Sequence, residues 1–246
     1  MWLGYHRSGG LYKLDNYTRK FKKYTELKGI QRSSESQIML GVFWIGSLNV
    51  GLHRLDTNLE NISNFLHDEE DKNSICHNSV RATYEDRNRI LWIDLGTGGN
   101  HGGENGKGGL DRFDPKTGMF KHYKVLIDST SNFSSTIYEI AEDDNGFLWM
   151  DTGGETLLRF DKINEIFKEY HFPTSNEGSK VWLILENGEI FFVGNDFTHS
   201  ISYQYNIEKD TFFPMFDGYQ PNALVKNEKT HFWIATMGQG LVTIIH

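Results

Sequence analysis

The chain alternates short apolar runs with clusters of turn-forming residues, and no long window sustains a helical period. Leu91-Trp92-Ile93 and Leu148-Trp149-Met150 are apolar at consecutive positions. Leu52-His53-Arg54-Leu55-Asp56 and Leu110-Asp111-Arg112-Phe113-Asp114 instead alternate apolar with polar residues and end on Asp. A short continuous apolar run bounded by turn signals predicts a strand covered on both faces, whereas alternation predicts a strand with one wet face. Clusters such as Asp114-Pro115-Lys116-Thr117-Gly118 and Asp143-Asp144-Asn145-Gly146 predict the turns between them.

The pattern repeats. Trp2-Leu3-Gly4, Trp44-Ile45-Gly46, Trp92-Ile93-Asp94, Trp149-Met150-Asp151 and Trp233-Ile234-Ala235 share one form, and Phe191-Phe192-Val193-Gly194 is a sixth copy with Phe192 in the tryptophan place. Successive marks lie 42, 48, 57, 43 and 41 residues apart. A Gly-Leu pair follows in four copies, at Gly10-Leu11, Gly51-Leu52, Gly109-Leu110 and Gly240-Leu241. An aromatic-framed run comes next, as in Phe21-Lys22-Lys23-Tyr24, Phe120-Lys121-His122-Tyr123 and Phe167-Lys168-Glu169-Tyr170. Upstream of the tryptophan place in later copies stands another strand candidate, for example Val80 to Asp86, Ile137 to Gly146 and Val181 to Gly188.

Each unit thus holds four strand candidates, A to D, at the period of a propeller blade. The expected fold is all-β, a β-propeller of about six four-stranded blade units with incomplete terminal units. It is read as a single domain, 1–246, with blade marks near Trp2, Trp44, Trp92, Trp149, Phe192 and Trp233. The first unit begins at strand B and the last stops after strand C, which predicts 22 strands and two readings. The favoured one is a segment of a longer array; the other is a small propeller closed imperfectly. The unit at 181–213 is degenerate, lacking both Trp at its mark and the Gly-Leu pair.

These residues resemble the two-component regulator propeller repeat. The best copy runs from Ser135 through Glu142-Asp143-Asp144-Asn145-Gly146-Phe147-Leu148-Trp149 to Phe160-Asp161, and another from Asn78-Ser79-Val80 to Phe113-Asp114-Pro115. The resemblance implies a non-catalytic ligand-sensing role, as in the periplasmic input region of a hybrid two-component regulator. It also implies a small-molecule or oligosaccharide ligand and a homodimer within a full-length receptor. The membrane span and histidine kinase that usually follow such propellers are not in this sequence. Two alternatives stand beside it: a propeller lyase of the streptogramin-lyase type, and a protein-interaction scaffold. The lyase repeat usually has Trp-Phe-Thr where this chain has Trp-Ile-Gly or Trp-Met-Asp.

Composition narrows the classes. The net charge is -8, and Arg19-Lys20-Phe21-Lys22-Lys23, the one basic tract, reads as a solvated edge strand. Nucleic acid is therefore not an expected partner. Cys76 is the only cysteine, so neither an intramolecular disulfide nor a cysteine-based metal site is expected. The N-terminus lacks the build of a signal peptide, and no apolar run approaches the length of a membrane span.

No catalytic residue, cofactor or metal is assigned. The chain has no Gly-x-Ser-x-Gly elbow, no His-Glu-x-x-His and no kinase motif. Asp68-Glu69-Glu70-Asp71 lacks calcium-loop spacing and reads as a solvated acidic turn. Asp15, Asp56, Asp114 and Asp161 recur with the turns and are read as structural. The unusual stretch is Leu95 to Gly109, a glycine-rich insertion between strands B and C of the third unit. In a propeller the B–C loops and the long D–A links, here Leu66–Asn78 and Lys124–Thr136, share one face. Binding residues gather on such loops over a rigid scaffold. The candidate contacts are His6, Arg7, Asn100, His101, Glu104, Asp196 and His199.

Overall fold

The computed structural model describes residues 2–4, 11–15, 17–24, 33–39, 42–56, 62–96, 108–125, 137–152, 156–172, 180–186, 189–195, 200–218, 221–227, 231–236 and 240–245. These form 22 strands in six antiparallel sheets, the strand count that the repeat predicts. The first sheet holds β1 (Trp2–Gly4), β2 (Leu11–Leu14) and β3 (Phe21–Tyr24). The second holds β4 (Ser33–Met39), β5 (Val42–Ser47), β6 (Leu52–Asp56) and β7 (Ile62–Phe65), and the third β8 (Val80–Glu85), β9 (Leu91–Gly96), β10 (Gly108–Asp114) and β11 (Met119–Tyr123). The fourth comprises β12 (Glu139–Glu142), β13 (Leu148–Asp151), β14 (Thr156–Asp161) and β15 (Ile166–His171). β16 (Lys180–Glu186), β17 (Glu189–Asn195), β18 (Ser200–Asn206) and β19 (Thr211–Asp217) make the fifth, and β20 (Pro221–Asn227), β21 (His231–Thr236) and β22 (Gly240–Ile245) the sixth. Two compact units result, Met1–Ile137 and Tyr138–His246, with three sheets each.

Every sheet is a meander in chain order, because each strand is joined to the next by a link too short for a crossover. The strand B runs behave as their consecutive apolar residues predict: β9 and β13 are buried at every position. The D strand β11 is exposed at Met119, Lys121 and His122 and half-buried at Phe120 and Tyr123. The fifth unit, degenerate in sequence, is nonetheless a complete sheet, with Phe192 paired to Tyr203 in the backbone register.

Local chemistry explains the repeat. In the A–B turn of the third sheet, Asp86 Oδ1 accepts the N–H groups of Asn88 and Ile90, while Oδ2 accepts the indole N–H of Trp92 at 3.0 Å. The fourth sheet repeats the device: Asp143 Oδ1 accepts from Asn145 and Phe147, and Oδ2 from Trp149 at 2.8 Å. One buried carboxylate therefore closes the turn and satisfies the buried indole. In the C–D turns, Asp15, Asp114 and Asp161 each cap the amide two residues on, which accounts for their recurrence. Two of the Gly-Leu pairs have a steric cause. A Cβ on Gly51 would meet the Phe65 carbonyl oxygen at 2.2 Å, and one on Gly109 the Tyr123 carbonyl oxygen at 2.4 Å.

The core of the first unit lies where Trp44, Leu52, Val80, Ile93 and Phe113 of the second and third sheets meet. In the second unit, Trp149 stacks on Tyr170 and meets the edges of Tyr205 and Phe212 in the fifth sheet. Trp233 departs from the pattern. The sequence predicts a covered strand B, yet Trp233 is 42% exposed while Phe232 and Ile234 are buried against Met215 and Ile244. Among the described residues only one face of β21 is covered.

Candidate functional site

All seven sequence-predicted contacts, His6, Arg7, Asn100, His101, Glu104, Asp196 and His199, lie outside the described residues. The structure does describe the stems that carry them. Gly4 pairs with Leu11, Gly96 with Gly108, and Asn195 with Ser200. Each of the three segments therefore spans from a strand B to the strand C beside it. The acidic turn is as expected: Asp68 to Asp71 are exposed, and Asp68 and Asp71 cap the amides of Glu70 and Asn73.

The most distinctive described chemistry sits in the third sheet, at the base of the glycine-rich segment. Backbone register sets Thr83, Ile93, Asp111 and His122 in one row across β8, β9, β10 and β11. Asp111 is fully buried, where a charged carboxylate needs partners. It has them: the Cys76 N–H donates to Oδ2 at 2.9 Å, and His122 Nδ1 lies 2.7 Å from Oδ1. His122 Nε2 lies 3.0 Å from the Lys72 carbonyl oxygen. Both neighbours are acceptors, so the imidazolium, with N–H at each nitrogen, serves both. The hydrogen bond to Asp111 is the main reason that the His122 pKa is raised, against a smaller opposing effect of burial.

This row clamps the D–A link 66–78 onto the sheet. Sequence alone marks that link as a polar surface segment, but Ile75 within it is fully buried. His67 Nδ1 donates to the Ile75 carbonyl at 2.8 Å, and Asn73 Oδ1 accepts the Phe120 N–H at 2.7 Å. Burial, then the nearby Asp111, pushes the Cys76 thiol far above the ordinary range, so it is held as a thiol.

Asp94, at the end of β9, is a second buried carboxyl. It has no exposure, and neither side-chain oxygen meets full hydrogen-bond geometry. Burial raises its pKa well above the usual value; the amides of Ile137 and Leu95 and the charge of Arg81 offset this only in part, and Asp111 adds repulsion. Arg81 stands in a β-bulge between Val80 and Thr83 and donates from Nε to the Gly96 carbonyl at 3.3 Å. The same place holds Gly4, Gly46, Gly194 and Ala235 in other units and Asp151 in the fourth, so sequence alone does not single out Asp94.

A different polar cluster stands in the second unit. Asp210 accepts from Tyr205 at 2.6 Å, Arg159 at 2.8 Å and Lys168. Burial opposes the Asp210 charge, but the bonds from Lys168, Tyr170 and Tyr205 outweigh it and hold its pKa low. Tyr205 is pushed up to about 12, chiefly by burial. Every member is partnered, and Arg159 lies over the rings of Phe147 and Trp149, so the cluster reads as a lock between the fourth and fifth sheets.

Six antiparallel meanders in chain order, four of them four-stranded and the third and fourth tied by an Asp–Trp bond, are the blades of a β-propeller, and the chain is of that class. Solved propellers agree. The extracellular domain assigned to a hybrid two-component system of B. thetaiotaomicron matches at TM-score 0.68 and 19% identity, over 99% of this chain and 32% of that one. Virginiamycin B lyase from Staphylococcus aureus with quinupristin matches at 0.67 and 14%, over 99% of this chain and 80% of that one. YCF48 from Cyanidioschyzon merolae matches at 0.66 and 13%, over 99% and 77%. The chain spans about a third of the two-component domain, at 32%. No family model matches the chain, and no curated protein matches it. Among the described residues no helix is long and apolar enough to cross a membrane.

Proposed function

We propose that this chain is a non-catalytic recognition propeller, part of the extracytoplasmic input region of a two-component sensor. The observation that carries the reading is the fold likeness to an extracellular two-component domain over 99% of the chain. The ligand class is a small molecule or oligosaccharide, taken on the face of the B–C segments by His6, Arg7, Asn100, His101, Glu104, Asp196 and His199. The stem pairs, above all Gly96 with Gly108, support it by giving the glycine-rich segment a rigid base. The six sheets act as blades of one domain, and in a full-length receptor two copies pair. Binding works by differential affinity for two receptor states rather than by chemistry.

The test is an oligosaccharide and metabolite screen by thermal shift, followed by calorimetry on His101→Ala and Glu104→Ala. The expected result is a ligand that shifts the melting temperature and is lost in both variants. Unchanged binding in both variants rules out this segment as the site.

A lyase reading has one specific support, the match to virginiamycin B lyase over 80% of that protein's length. Chelator-sensitive elimination on a streptogramin would replace the sensor reading with this one.

A further inference from the structure

We propose that Cys76, Asp111 and His122 form a binding site for a divalent cation of the zinc class. The inference is independent of the ligand reading above. The ligand atoms of the three residues lie within 4.8 Å of one another. They come from three segments, the D–A link, β10 and β11, so the fold assembles the site and sequence spacing does not reveal it. A thiolate, an imidazole and a carboxylate are a zinc-type donor set, and three protein ligands leave a fourth position for water.

The second shell is already built. His122 turns Nδ1 to Asp111 and has the Lys72 carbonyl oxygen 3.0 Å from Nε2. A metal-bound histidine commonly donates its other ring N–H to such a carbonyl, which fixes the tautomer that leaves Nδ1 bare. Asp111 Oδ2 is held by the Cys76 N–H at 2.9 Å, which leaves Oδ1 as the ligating oxygen. The same peptide places the Cys76 side chain beside that carboxylate. Bond lengths of about 2.0–2.3 Å set ligand atoms about 3.2–3.8 Å apart in a tetrahedral shell, so the widest separation must close by roughly 1 Å while Asp111 Oδ1 and His122 Nδ1, now 2.7 Å apart, must open.

Asp111 is fully buried and supplies the anionic ligand. Two protons leave on binding: the Cys76 thiol proton, and the Nδ1 proton that His122 shares with Asp111. A water completes the shell. Apparent affinity therefore rises with pH.

Cobalt titration of the full chain, freed of metal, tests the site. The expected result is one cobalt per chain with a thiolate-to-cobalt charge-transfer band. The band disappears in Cys76→Ser, and affinity falls at least roughly tenfold in His122→Gln and Asp111→Asn. Because Cys76 is the only cysteine, alkylation gives a second readout: zinc slows it in the parent chain and not in His122→Gln. If Asp111→Asn loses its β-sheet circular dichroism, Cys76→Ser and His122→Gln decide. A parent chain with no charge-transfer band, or a band that keeps its full affinity in His122→Gln, overturns the proposal.

Discussion

The third and fourth sheets share one frame and differ in what they enclose. Both carry the Asp–Trp bond, at 3.0 Å from Trp92 and 2.8 Å from Trp149. On strand C, however, the fourth sheet has buried Leu158 where the third has buried Asp111. On strand D, Leu158 is paired to Glu169, whereas Asp111 is paired to His122. The strand B ends differ too. Thr152 donates to the Thr156 carbonyl at 2.5 Å and closes the B–C link, as Ser47 does to Gly51 and Thr236 to Gly240. The third sheet has Leu95 in that place and continues into its glycine-rich insertion. Positions alike in the repeats hold the blade together; at the Asp111 place the second and fifth sheets bury His53 and Ser202, and the third buries a carboxylate.

The largest effect should come from breaking the shared frame. Trp149→Ala and Trp92→Ala should each cost about 3–5 kcal/mol in urea unfolding. Asp143→Ala should cost about 1–3 kcal/mol, because it orphans a buried indole N–H and two turn amides. Equal losses in the two sheets would confirm that the frame is common to both.

The next test separates them. Asp94→Ala installs the residue that the sixth unit carries as Ala235, and should stabilise by about 1–3 kcal/mol at pH 7 by removing a buried carboxyl whose burial is only partly offset. The sign with pH follows from the raised value. The penalty of Asp94 appears as pH climbs above the ordinary carboxyl value of about 3.9, where only the unfolded chain readily loses the proton. The gain should therefore shrink on going from pH 7 to pH 4. The same change at Asp151, which keeps a partner, should not stabilise.

A smaller effect concerns the A–B turns. Gly146 adopts φ 85° in the fourth sheet, and Arg89 adopts φ 67° in the third. Arg89→Gly should stabilise by about 1 kcal/mol, since the surface ion pair that it gives up with Glu85 contributes little.

The smallest is local. In metal-free protein the clamp of His122 on Asp111 and the Lys72 carbonyl contributes fully below about pH 6.5 and is lost as pH rises through the raised His122 value. Amide exchange at Cys76 should quicken across that rise beyond its intrinsic pH dependence. His122→Gln should remove the extra acceleration.

Most of the frame was legible in sequence because its causes are local. Asp143 reaches amides two and four residues away, and the indole of Trp149 six residues away, so chain spacing encodes the turn. Strand order followed from short links. Trp233 was misread because its exposure depends on what covers β21, which no spacing within the strand encodes. The predicted contacts remain expectations drawn from loop length and polarity.

By itself the sequence determined the repeat, the four-strand unit, the count of strands and the turn chemistry, since each rests on contacts within a few residues. Only the tertiary structure decided that Cys76, 35 residues before Asp111, donates its amide to that side chain, and that His122, 11 residues beyond Asp111, grips the other oxygen. It also decided that Asp94 is closed off from water. Cross-strand register and the packing of a long link set those facts, and both arise from elements distant in the chain.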